Sequence, residues 1–133
     1  NGKIPSQKYD SDIGYDISAS ENITLKSDEV TLVNTGIAIN LPKQCAGFVL
    51  PRSGLASKNL VAPINAPGLI DPGYTGELMV PLMNYSDEVY TVSQNERVAQ
   101  LVTITTGSIS FEKVEELDIS DRSTGGFGST GKN

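Results

Sequence analysis

The sequence predicts an all-β domain, and three observations carry the prediction. Short runs of β-branched and apolar residues recur along the chain, broken by Pro, Gly, Asn and Asp. Apolar and polar residues alternate in "ITL", "VTLV", "IAINL" and "VTIT", the period-2 signature of half-buried strands. No stretch sustains a helical period, and only Gly54–Asn59 ("GLASKN") has the composition for a helical turn or two. The spacing between turn signals suits a sandwich, a jelly roll or a small barrel. The expected architecture is therefore a jelly-roll-like β-sandwich or barrel.

In chain order the predicted strands are Ile23–Leu25, Glu29–Thr35, Ile37–Leu41, Ala46–Leu50, Glu77–Asn84, Val89–Val92, Arg97–Thr105 and Ser110–Leu117. Asp16, between Tyr15 and Ile17, falls at a strand edge. Pro72-Gly73 after the apolar pair Leu69–Ile70 predicts a tight turn that closes a β-hairpin, with Asp71 held on its rigid backbone. No internal repeat or interdomain linker is visible. Residues 1–120 form one β-domain, and the polar, glycine-rich stretch 121–133 is expected to be a flexible arm.

Composition excludes several function classes. Ten basic against sixteen acidic residues give a net charge of −6, which argues against binding duplex nucleic acid. An anionic ligand must then be met by local groups. There is no histidine, so histidine triads and histidine metal sites are excluded. The single cysteine, Cys45, cannot form an internal disulfide; it is expected as a small core residue in a reducing, cytoplasmic setting or the equivalent host compartment. No apolar run reaches membrane-spanning length and no signal-peptide pattern opens the chain.

Two familiar ligand loops are suggested and rejected. "GFGSTGKN" (Gly126–Asn133) comes one residue short of a P-loop. That loop needs a buried strand before it and a helix after it, and its magnesium-binding Ser/Thr is here Asn133. "DSDIGYD" has the Asp10-x-Asp12 start of an EF-hand, but Gly14 sits at a ligand position and Tyr15 where glycine is required.

Other constellations remain open between a structural and a chemical role. "PRSGLASK" offers a guanidinium, a hydroxyl and backbone amides on one short stretch, suited to phosphate, although Arg52 could equally make an ion pair. Asp71 could orient or deprotonate a water, or simply cap its turn. Gln100, with Arg97 in the otherwise apolar "ERVAQLV", must hydrogen-bond either a ligand or the backbone. Arg122 and Phe127 are unusual in what could otherwise be an idle Gly/Ser tail.

Taken in order, "IGYD", "PRSGLA", "NAPGLIDPGYTGE", "RVAQLV" and "RSTGGFGSTG" resemble the five motifs of the homotrimeric deoxyuridine triphosphatase (dUTPase) family, over nearly the whole chain from Asp12 to Gly131. The resemblance implies a jelly-roll homotrimer that hydrolyses dUTP to dUMP and pyrophosphate, with sites shared between subunits and a C-terminal arm closing a neighbour's pocket. It implies that Asp71 activates the attacking water, with Gln100 as a second ligand of that water or of the phosphates. Asp16 would hold Mg2+ through water. Arg52, Ser53 and Gly54 match the phosphate-binding stretch, and Asn65, Gly68, Ile70, Tyr74 and Met79 the uracil and deoxyribose pocket. Asn65 would read the base edge, and Tyr74 would exclude a 2′-hydroxyl. In the arm, Arg122, Gly128, Ser129 and Thr130 would grip the phosphates while Phe127 stacks on uracil.

Two rivals compete. The related dCTP deaminases share "IDPG", but their catalytic Glu corresponds to Pro81, which has no ionisable side chain. A non-enzymatic binding module would have no need of Asp71, Gln100 and Arg122 together.

Overall fold

The structure, a computed structural model, describes residues 2–118. The element order is β1 (Tyr15–Ser18), β2 (Ile23–Leu25), β3 (Val30–Asn34), β4 (Cys45–Leu50), α1 (Ser53–Asn59), β5 (Val61–Pro63), β6 (Gly68–Ile70), β7 (Met79–Asn84), β8 (Tyr90–Val92) and β9 (Arg97–Thr105). All pairings are antiparallel. One sheet has the order β1-β9-β4-β6, a second β3-β7-β5, and β2-β8 forms a two-stranded ribbon. The all-β, jelly-roll prediction holds.

The layers close over one apolar core. Ile17, Val49, Ile70, Val98 and Leu101 come from the four-stranded sheet, Val33, Val61, Val80 and Leu82 from the three-stranded one, and Leu25 and Val92 from the ribbon. β7 shows the alternation clearly: Val80, Leu82 and Asn84 point inward while Met79, Pro81 and Met83 do not. The buried Asn84 is fully partnered. Its Nδ2 donates to the carbonyls of Leu25 (3.1 Å) and Glu88 (2.7 Å), and its Oδ1 accepts from Ser86 N–H (3.0 Å) and Oγ (2.8 Å). The side chain thereby ties β2 and the β7–β8 loop to the end of β7.

Several sequence expectations need correction. Ile37–Leu41 is not a strand. Its side chains do alternate, and Ile37, Ile39 and Leu41 pack on the core, but no ladder forms beside it; a single bond from Leu78 N–H reaches the Ile37 carbonyl (2.8 Å). Ser110–Leu117 likewise forms no ladder among the described residues, with Phe111 92% and Leu117 86% exposed. Periodicity reports which side chains face inward, whereas a strand also needs a partner edge. The β-hairpin expected around Asp71 is a turn between sheets. β6 pairs with β4, β7 pairs with β3 and β5, and the chain between them crosses from one layer to the other.

For β1 the sequence shows only a strand edge at Asp16, and β5 and β6 are missed because "VAP" and "GLI" lack the apolar–polar–apolar alternation that marks "ITL". The helical turn expected at Gly54–Asn59 is α1, anchored in the core by Leu55. Cys45 is half-buried at the start of β4 rather than a core residue. Among the described residues no helix is long and apolar enough to cross a membrane.

Candidate active site

The register of the four-stranded sheet builds one half of the candidate site. Asp16 on β1 lies directly opposite Gln100 on β9, and Gln100 is flanked on its other side by Leu50 at the end of β4. Residues directly opposite each other share a face, so the carboxylate and the carboxamide emerge together. The chain then leaves β4 through Pro51 and Arg52 and enters α1 at Ser53, which carries Arg52, Ser53 and Gly54 to the same place. All five residues line one open cleft of about 710 Å³.

The chemistry of this cleft is ionic. Asp16 Oδ1 accepts from Arg52 Nε (2.8 Å), and Oδ2 accepts from Arg97 Nη1 (2.9 Å). A further bond runs from Arg52 Nη1 to the Arg97 carbonyl (3.2 Å). Arg52 therefore makes the ion pair that the sequence left open, and it still lines the cleft. Lys8, Arg52 and Arg97 face Asp12 and Asp16 across this surface, leaving an excess of positive charge on a protein whose net charge is −6. Such a cleft suits an anion despite the overall field.

Gln100 has the backbone partner that a half-buried carboxamide needs: Nε2 donates to the Pro51 carbonyl at 2.8 Å. Its Oε1 lies over Gly14, where any Cβ would collide with it. Sequence reasoning missed Gly14 as a site residue, although "IGYD" contained it, and left Arg97 without a function. The signal for Arg97 was a charge placed two residues after Asn95 at the start of an apolar strand; its meaning depends on a cross-strand partner that one-dimensional spacing does not show.

Asn65, Gly68, Ile70, Asp71, Tyr74 and Met79 line a second cavity of about 210 Å³. Its turn is closed by backbone, Tyr74 N–H donating to the Asp71 carbonyl (3.2 Å), so the exposed Asp71 carboxylate takes no part in capping. Gly73 has φ +92°, the conformation that favours glycine after proline in such a turn. A Cβ on Gly68 would come within 3.1 Å of Asn65 Nδ2, so the bare backbone lets the Asn65 amide lie over it. The Tyr74 hydroxyl donates to the Glu77 carbonyl (2.9 Å). Pro81 lines the same cavity as Asp71.

The two halves share no lining residue. Val49 lines the Asp71 cavity and Leu50 the Asp16 cleft, and successive residues of a strand point to opposite faces of the sheet. Within one chain, then, the structure brings together Asp16, Arg52, Ser53, Gly54 and Gln100, and separately Asn65 to Tyr74 with Met79. It does not bring Asp71 to Gln100. Arg122, Phe127, Gly128, Ser129 and Thr130 lie outside the described residues.

The dUTPase family profile matches residues 1–131. The chain belongs to the dUTPase family. It is 41% identical over 128 residues to the deoxyuridine 5'-triphosphate nucleotidohydrolase of Clostridium acetobutylicum, covering 96% of this chain and 88% of that one. It is 42% identical over 132 residues to that of Tropheryma whipplei, covering 98% and 90%. Among solved structures, the dUTPase of Staphylococcus bacteriophage 80alpha with dUPNHPP superposes with a TM-score of 0.88 at 27% identity, covering 98% of this chain and 93% of that one. Membership makes the chain a nucleotidohydrolase by family and accounts for the five ordered motifs.

The resemblance implies that Asp16 holds a magnesium ion through water. Among the described residues of one chain no group of three or more His, Cys, Asp or Glu side chains could hold a metal ion. Asp16 is 20% exposed and commits one lone pair of each oxygen to a guanidinium. Each carboxylate oxygen has a second acceptor site. It fits a water-mediated contact to an ion carried mainly by phosphates, which is how magnesium commonly binds nucleotides.

Proposed function

We propose that this protein hydrolyses dUTP to dUMP and pyrophosphate at sites assembled from different copies of the chain in a homotrimer. The observation that carries the reading is the division of the motif residues. An anion-binding cleft with Asp16, Arg52 and Gln100, and a nucleoside-sized cavity with Asp71, Asn65 and Tyr74, lie apart in one chain. A triphosphate needs both at once. A neighbouring copy can supply the missing half, and closed symmetric assembly does so for every site simultaneously. The exposed apolar side chains Val30 and Leu32 on β3 are surface that such packing would cover.

In the assembled site Asn65 and the backbone around Gly68 and Ile70 read the uracil edge, and Tyr74 packs under the deoxyribose where a 2′-hydroxyl would clash. Arg52, Ser53 and Gly54 of another copy bind the phosphates, with the guanidinium supplying charge and the hydroxyl and amides supplying hydrogen bonds. Asp71 accepts a proton from a water as the water oxygen bonds to the α-phosphorus. The bond from that phosphorus to the bridging oxygen breaks, and the electron pair leaves with pyrophosphate. The Gln100 Oε1 holds the same water or a phosphate-bound one. Asp16 would hold Mg2+ through water, and the ion would supply neutralisation of phosphate charge. Arg122, Gly128, Ser129 and Thr130 close over the phosphates and Phe127 stacks on the base, so dUTP itself orders the arm. Cytosine is refused because its exocyclic amine reverses a hydrogen bond the pocket is built to make.

Deamination is disfavoured by Pro81, which lines the same cavity as Asp71 and has no ionisable side chain at the position matching the deaminases' catalytic Glu. The direct experiment measures pyrophosphate release with magnesium from dUTP, dTTP, dCTP and UTP. Release from dUTP alone is the expected result. Equal turnover of UTP would remove the role given to Tyr74, and no turnover of dUTP would remove the reading as a whole.

A further inference from the structure

Tyr74 sits in a stretch, Asp71–Glu77, in which every residue is exposed, and a discriminating ring in such a stretch needs an anchor. Its phenol donates to the Glu77 carbonyl (2.9 Å), three residues on. The ring lies across Gly76: a Cβ there would come within 2.6 Å of Tyr74 Oη and 2.8 Å of Cζ. Any side chain at position 76 would push the ring outward. Gly76 has no positive φ, so what glycine supplies here is space rather than a special backbone conformation.

The carbonyl that receives the phenol is itself tied down. Glu77 Oε1 accepts from Thr35 N–H (3.1 Å) and Gly36 N–H (2.7 Å), clamping residue 77 to the chain just past β3. Next to it, Leu78 N–H donates to the Ile37 carbonyl (2.8 Å), and the Leu78 carbonyl accepts from Thr35 Oγ1 (2.5 Å). Four hydrogen bonds thus join residues 77–78 to 35–37, and Leu78 and Thr35 are buried. The ring hangs from a rigid post although its own turn is exposed.

We propose that Glu77 and Gly76 are positioning residues for sugar discrimination: the Glu77 clamp and the space over Gly76 hold the Tyr74 ring where it refuses a 2′-hydroxyl. This rests on the role of Tyr74 proposed above. A charged hydrogen bond to two amides, lost with the carboxylate, is large enough to free the carbonyl. Freeing it lowers discrimination by roughly tenfold, the ratio that corresponds to about 1.4 kcal/mol.

The test compares kcat/KM for dUTP and UTP in the full-length protein and its variants. Glu77→Ala and Gly76→Ala should each lower the dUTP-to-UTP ratio by roughly tenfold, and Tyr74→Phe, which keeps the ring and removes its anchor, by several-fold. Glu77→Gln keeps an oxygen that can accept from both amides and should restore most of the ratio. A purely structural Glu77 would lower Tm in Glu77→Ala and leave the ratio alone, which overturns the proposal. If Glu77→Ala does not fold, Tyr74→Phe decides: an unchanged ratio also overturns it. Tyr74→Ala separates the two readings. Should that variant leave the ratio intact, the role of Tyr74 itself is wrong; should it collapse the ratio while Glu77→Ala and Tyr74→Phe do not, only the anchoring is wrong.

Discussion

Replacing Gly14 with alanine would act on Gln100 without touching it chemically. A Cβ at position 14 collides with Gln100 Oε1 and crowds its Cδ (3.2 Å). Gly14 has no positive φ, so the backbone accepts alanine and the strain falls on the carboxamide, which must retreat by about 1 Å to reach ordinary contact. That retreat breaks or lengthens the 2.8 Å bond from Nε2 to the Pro51 carbonyl, a loss of about 0.5–1.5 kcal/mol to the fold. At the reacting centre the consequence is larger, since a misplacement of about 1 Å can reduce turnover by about 10²-fold. Gly14→Ala should therefore lower kcat for dUTP by roughly 10- to 100-fold with a small fall in Tm and little change in KM. Steady-state pyrophosphate release and thermal unfolding measure both. Because both changes disable one group, Gly14→Ala in a Gln100→Ala background should cost little more than Gln100→Ala alone. Full turnover by Gly14→Ala, or additive losses in the double variant, would refute the reasoning.

Other outcomes follow from the same geometry. Asp71→Asn should bind dUTP with near-normal affinity and lose about 10²–10⁴-fold in turnover, the range of a general base; isothermal titration and single-turnover kinetics separate the two. Asn84→Leu strands the buried Leu25 carbonyl contact and the Ser86 amide that Asn84 satisfies, while the Glu88 carbonyl keeps its bond from Ser86 Oγ; stability should fall by about 1–3 kcal/mol in denaturant unfolding. The Tyr90 hydroxyl is pushed up to about 12 by burial first, then by its hydrogen bond to Glu96 and that group's charge. Its folded value lies above the unfolded one, so it contributes stability that is complete below about pH 10 and is lost as pH rises toward 12. Tyr90→Phe should flatten this alkaline loss. Truncation after Ser120 should leave a folded trimer, seen by sedimentation, with much-reduced turnover.

The fold class was legible because alternation survives wherever apolar and polar residues take turns: the three-residue Ile23–Leu25 and the nine-residue Arg97–Thr105 both have the bounds that the sequence predicts. Ile37–Leu41 shows the limit of that signal, since its inward residues do pack on the core while its backbone makes only the bond from Leu78 among the described residues. The site was legible as chemistry and not as geometry. Arg52, Asp71 and Gln100 stand out as polar groups in places that need a reason. That Asp16 faces Gln100 follows from strand register, which no local window contains. The clamp at Glu77 links positions 41 and 42 residues apart in sequence, and Gly14 matters through a side chain on another strand. Such pairings exist only after the chain has folded.

The division of the site between copies is best tested by complementation. Asp71→Asn disables the nucleoside cavity and Gln100→Ala the anion cleft, each variant nearly inactive alone. Unfolded together and refolded, with mixed trimers verified by native mass spectrometry, they should recover a substantial part of wild-type pyrophosphate release, because some sites pair an intact Asp71 with an intact Gln100 from another copy. Verified mixed trimers that remain as inactive as either parent would contradict the shared site.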